Sequence, residues 1–169
     1  MRFALPMLLP LAACVATPPP PNGTAPPVQE AIRYETSACF GACPVYAVTV
    51  RPDGTGTFEG QRFTAATGAQ TIVFDPAAYR RFAAALAPYR PVTGNARYAP
   101  GEPNCGNAPT DMPSVTVTWQ RPSGAAAQTL FFYHGCRPEG APGMAEALRR
   151  APELLPPLKA LIGPPQVGR

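Results

Sequence analysis

Alternation of apolar and polar positions runs through most of this chain and predicts strands. Ile32 to Glu35 alternates over a short stretch. Val45 to Arg51 alternates more strongly and sets Tyr46, Val48 and Val50 on one face. Pro52-Asp53-Gly54 is a turn signal, after which Thr55 to Glu59 returns as a second strand. Gln70 to Phe74 places Ile72 and Phe74 on a shared face. Ser114 to Gln120 turns Val115, Val117 and Trp119 inward, and Gln128 to His134 is its partner across a loop holding Gly124. In that last strand Leu130 and Phe132 share one face and Phe131 and Tyr133 the other, so a central strand covered on both sides is expected.

The period changes at Asp75-Pro76. An acceptor side chain followed by proline is a helix start, because proline lacks the N–H that a first turn leaves unpaired. Tyr79, Phe82 and Leu86 then form an apolar stripe, with Arg80 and Arg81 off it, and Pro88 closes the helix. Two further helical stretches, Met144 to Arg150 and Leu158 to Ile162, are separated by Pro152, Pro156 and Pro157. Residues 90–113 show no periodicity; five prolines, three glycines and Cys105 fall there. A loop of that length in a small domain is functional, stapled or hides an element. The expected fold class is therefore α+β: one domain over residues 28–163, with a mainly antiparallel sheet of about five to six strands. One central helix and the C-terminal helical segments pack on that sheet, and residues 164–169 are a tail.

The N-terminus follows a different logic. Arg2 precedes an apolar run that is too short to span a bilayer and ends in Leu11-Ala12-Ala13-Cys14. This resembles the bacterial lipobox, which implies that residues 1–13 are a signal peptide and that Cys14 is acylated (palmitate included). Val15 in place of Asp implies sorting to the outer membrane, facing the periplasm. Residues 14–27 hold the lipidated cysteine and a tether with six prolines. At ~3.1 Å per residue in polyproline II, the tether spans up to about 40 Å. The expected partners are the bilayer, through Cys14, and an unknown envelope protein or small ligand.

Composition narrows the function. Of 169 residues, 14% are charged and 46% hydrophobic, enough to pack a core. Pro (25) and Gly (15) make up nearly a quarter and favour short elements joined by turns. The net charge of +4 is scattered with no basic run, so nucleic acid is not expected as a partner. Gly-x-Ser-x-Gly, a phosphate loop and His-Glu-x-x-His are all missing, and with one histidine a hydrolase has little to work with. No catalytic residue and no cofactor is expected. Arg97, Tyr98, Glu102 and Asp111 could line a pocket, but solvated loop polarity is the preferred reading of them.

After Cys14 four cysteines remain, and in an oxidising envelope an even set reads as disulfides. Three pairings are open. Cys39–Cys43 with Cys105–Cys136 is preferred, since the second bridge ties the long loop to the end of the last strand. Gly41 eases the tight turn between the first two. An alternative uses the same atoms. Cys39-x-x-x-Cys43-Pro44 resembles the copper motif of the Sco copper-chaperone family, in which a distant histidine completes the site. Here that would be His134, giving Cys39, Cys43 and His134 for copper(I) or a thiol redox centre at the cysteines. Against it, a β-branched strand follows Pro44, where that thioredoxin-like fold places a helix.

Cys39-Phe-Gly-Ala-Cys-Pro-Val-Tyr46 followed by Asp53-Gly54 resembles an uncharacterised bacterial envelope family, the domain of unknown function 6438. The likeness extends through Phe58-Glu-Gly60, Gly68, Asp111-Met-Pro113 and Tyr133-His-Gly135, over most of residues 31–163. It implies an antiparallel α+β domain and a shared role for the cysteine turn, and it transfers no catalytic residue. Cys105 and Cys136 lie outside the family pattern, which implies that they pair with each other. The leading functional expectation is a membrane-anchored, periplasm-facing lipoprotein acting as a non-catalytic binding or envelope-associated module. The thiol redox or copper(I) reading is one alternative. An inhibitor or partner-binding protein using residues 90–113 is the other.

Overall fold

A computed structural model describes residues 30–122 and 126–164; Cys14, the signal stretch, the tether and residues 165–169 lie outside them. The domain is α+β. Seven strands form one open sheet in the order β4-β3-β2-β1-β6-β7-β5. They are β1 Ala31–Thr36, β2 Val45–Val50, β3 Thr55–Arg62, β4 Gly68–Val73, β5 Asn95–Tyr98, β6 Ser114–Gln120 and β7 Gln128–Tyr133. All neighbours are antiparallel except β5 and β7, which run parallel with Ala96 opposite Leu130. Helices α1 Pro76–Leu86, α2 Met144–Arg150 and α3 Pro156–Ile162 complete the fold.

Register explains which face is covered. Tyr34 sits opposite Val48 on β2 and Val117 on β6, and Val117 in turn faces Leu130. These residues share the sheet face that packs with Phe82, Leu86, Leu148, Leu155 and Leu158 into one buried core. The opposite face carries Arg33, Glu35, Thr49, Thr57, Glu59, Thr116 and Thr118 at alternate positions. There Arg33 bridges Glu35 at 3.0 Å and Glu59 at 3.2 Å. Such half-exposed pairs hold register more than they add stability.

The helix starts follow the sequence. The Asp75 carboxylate accepts from the Ala77 N–H at 2.8 Å, and Pro76 occupies the first turn. Tyr79, Phe82 and Leu86 are buried on α1. Pro152 lies in a short 3-10 turn, Ala151–Leu154, between α2 and α3, and Pro156 begins α3. Arg90 grips the first described residue, Glu30, through both carboxylate oxygens at 2.7 and 2.9 Å and also donates to Gln128. The N-terminal end of β1 is thereby fixed to β7.

Three expectations are corrected. The sheet has seven strands, because the aperiodic stretch 90–113 contains β5. That strand is only Asn-Ala-Arg-Tyr, and its place comes from pairing along the edge of β7, which no local pattern encodes. The rest of the stretch is pinned through Cys105, which is fully buried. Second, among the described residues the outer face of β7 is only partly covered. Phe131 there is half-buried under the Arg97 guanidinium, 4.3 Å from the ring centroid. The Tyr133 hydroxyl accepts from the Met112 N–H and donates to the Pro109 carbonyl. Third, the pocket suggested for Arg97, Tyr98, Glu102 and Asp111 is not gathered. Tyr98 packs on Phe132 on the core side. Arg97 lies on the opposite face with Glu102 at 3.9 Å. The Asp111 carbonyl instead accepts from the Phe40 N–H beside the cysteine turn.

Candidate functional site: a cavity beside the cysteine turn

The turn between β1 and β2 is built by Cys39 and Cys43, which form a disulfide with Cα atoms 5.7 Å apart. Gly41 takes a positive φ of 139° between them, a conformation that glycine supplies without a Cβ penalty. Side chains sew this turn to the sheet. The Thr36 hydroxyl donates to the Pro44 carbonyl at 2.8 Å and accepts from the Tyr46 N–H at 3.0 Å. Ser37 accepts from the Ser114 N–H at 2.7 Å. Phe40, at the tip, is 90% exposed. Cys105 and Cys136 also pair, with Cα atoms 4.5 Å apart. The two bridges differ in environment: this second one is fully buried, and the first is half-exposed.

Beside the turn, under the ends of β1, β2, β6 and β7, a cavity of about 820 Å³ opens. Thr36, Cys43, Pro44 and Tyr46 form one wall, and Pro152, Leu158 and Ile162 another. Three charged side chains reach it: Arg149, Glu153 and Lys159. Its volume falls within the range of about 300–1,000 Å³ in which small-molecule sites are found. It lies at the far end of β1 from Glu30, where the described chain begins.

His134 lines this cavity just beyond the end of β7. Its backbone N–H donates to the Pro113 carbonyl, and its ring packs edge-on against Phe132, with centroids 5.5 Å apart. The residue is 8% exposed, and its Nδ1 has no hydrogen-bond partner among the described residues. Burial, then the charges of Arg149 and Arg137, push its pKa down to about 4, so the ring is neutral at pH 7. Tyr46, 5% exposed, stacks on Phe58 at 5.5 Å. Burial holds its phenol well above the ordinary value, so the hydroxyl keeps its proton and remains a donor.

His134 and Cys43 thus border one cavity, but Cys39, Cys43 and His134 do not form a cluster able to hold a metal. The two sulfurs are joined to each other, and thiolates are what copper(I) binds. Tyr46 belongs to the sequence motif and reads there as a core position of β2; its alternation with Val48 and Val50 conceals that it borders a cavity. Arg149 and Lys159 carry no sequence signal for this site, since each is an ordinary exposed position of a short helix.

The profile of a family described as "Domain of unknown function (DUF6438)" matches residues 30–152. The chain belongs to the DUF6438 family. The matched span includes the cysteine turn, Tyr46, His134 and Arg149. It stops before α3, so Leu158, Lys159 and Ile162 of the lining lie beyond the residues matched to DUF6438. No curated protein and no solved structure matches this DUF6438 chain.

Proposed function

We propose that the protein is a lipoprotein anchored through Cys14 and facing the periplasm, whose folded domain binds a small ligand in the cavity beside the cysteine turn. The observation that carries the binding reading is the convergence of Tyr46 and His134 on one largely apolar cavity. Each is more than nine-tenths buried, and the His134 Nδ1 is a buried polar atom without a partner among the described residues. A buried polar group costs free energy unless something satisfies it, and a ligand or an ordered water would do so. The anchor reading is supported by the lipobox-like Leu11-Ala12-Ala13-Cys14 and the proline tether. The cavity opens at the end of β1 remote from Glu30.

Two measurements test these claims. Metabolic labelling with palmitate should acylate the wild type and not Cys14→Ser, and that variant should leave the membrane fraction. Continued membrane association of Cys14→Ser would defeat the anchor. For binding, the protein should be isolated from envelope under native conditions and analysed by mass spectrometry before and after denaturation. A small molecule released from the wild type and absent from Leu158→Trp, which fills the cavity, is the expected result. Its absence from both would count against the binding reading.

A second reading, thiol redox chemistry at the Cys39–Cys43 pair, is favoured by one observation. This disulfide is half-exposed and borders the cavity, in contrast to the sealed Cys105–Cys136 pair. Trapping free thiols on isolation separates the two: a fully oxidised pair in the envelope speaks for a staple, a partly reduced one for exchange.

A further inference from the structure

The cavity's lining is specific about ligand class. Its apolar lining includes Pro44, Pro152, Leu158 and Ile162. Charge enters only from Arg149, Lys159 and Glu153. Glu153 is engaged by Arg150 at 3.4 Å, and Arg149 by Glu146, which does not line the cavity. Lys159 has no ion-pair partner among the described residues. The cations at the rim therefore outnumber the carboxylates. The Tyr46 hydroxyl in the same lining keeps its proton and can donate.

From this we infer that the cavity takes a single-chain anionic amphiphile. The apolar chain lies against Leu158 and Ile162, and a carboxylate or phosphate head is held at Lys159 and Arg149. The proposal rests on the reading of the domain as a binding module and names the ligand class of that same site. The complementarity is one of charge and shape together. A purely apolar ligand would leave Lys159 unused, and a cationic one would meet like charge. The positive field also reaches the interior, since Arg149 and Arg137 both oppose protonation of His134.

The test is calorimetric titration of the full chain carrying Cys14→Ser, which has no acyl groups of its own to compete. Three probes of equal chain length are used below their micellar concentrations: dodecanoate, dodecyl phosphate and dodecanol. At least one anion should bind tenfold or more tightly than dodecanol, and which anion wins tells a free fatty acid from a phosphate-headed lipid. Lys159→Gln and Arg149→Gln, both at exposed positions, should each weaken the anions about five- to tenfold and leave dodecanol unchanged. Tyr46→Phe should weaken the favoured anion with its melting temperature little altered. Equal binding of dodecanol and the anions, or charge variants without effect, overturns the anionic assignment and leaves the binding module standing. If no probe binds a chain shown by melting to be folded, the assignment and the cavity reading both fall.

Discussion

The Tyr34 hydroxyl on β1 donates to the Leu148 carbonyl of α2 at 2.8 Å, in the buried interior. In a continuous helix that carbonyl would accept from the N–H four residues on. That residue is Pro152, which has none. A sheet tyrosine thus replaces a missing backbone donor and fixes the helix that carries Arg149 into the cavity. Tyr34→Phe keeps the ring and removes the donor. It should cost about 1–3 kcal/mol in urea unfolding, the penalty for a buried carbonyl left unpaired. A loss within error would mean that water reaches Leu148.

The two disulfides should separate kinetically. Under mild reductant with timed alkylation, Cys39–Cys43 should open first, since thiolate attack needs access and Cys105–Cys136 is fully buried. Replacing Cys105 and Cys136 together by serine should cost about 2–5 kcal/mol, and the Cys39, Cys43 double variant less, because the closed loop is shorter. Simultaneous opening of both pairs would argue against the contrast in burial.

Stability should fall on acidification through His134. Its folded pKa, about 4, lies below the ordinary 6.5, so the unfolded chain takes up the proton first. The contribution is fully present above pH ~6.5 and is lost as pH falls toward 4, by about 2 kcal/mol once solvent screening is allowed for. Denaturant midpoints between pH 7 and 4 should show this slope in the wild type. His134→Leu should flatten it. An unchanged slope would assign the acid sensitivity to other groups.

Gly60 on β3 is a close-approach position. A Cβ there would be driven into the Ala66 carbonyl, and Ala66 is itself tied to Leu161 of α3 by a 2.9 Å backbone bond. Gly60→Ala should therefore destabilise by about 2–4 kcal/mol and disturb the α3 wall of the cavity. Gly68→Ala makes a useful contrast. It meets open space, but its φ of 75° is strained for alanine, so its smaller cost, about 1 kcal/mol, should leave the cavity intact. Equal effects on cavity binding would separate neither position.

Local chemistry determined most of the elements. Alternation placed β1, β2, β3, β4, β6 and β7, and Asp75-Pro76 with the Tyr79, Phe82, Leu86 stripe placed α1, because side-chain period and cap chemistry are written in neighbouring residues. The pairing of Cys39 with Cys43, and of Cys105 with Cys136, was legible for a related reason. A short span bounds one pair, and the aperiodic stretch had to be tied down somewhere. Residues far apart in the chain decided the remainder. β5 exists as an edge partner of β7, and its four residues carry no pattern of their own. Tyr34 reaches across more than a hundred positions to Leu148. The cavity exists only where the cysteine turn, the end of β7 and α3 meet. A cavity is the space that packed elements leave between them, so no local pattern specifies it, and tertiary structure alone made Tyr46 and His134 its neighbours.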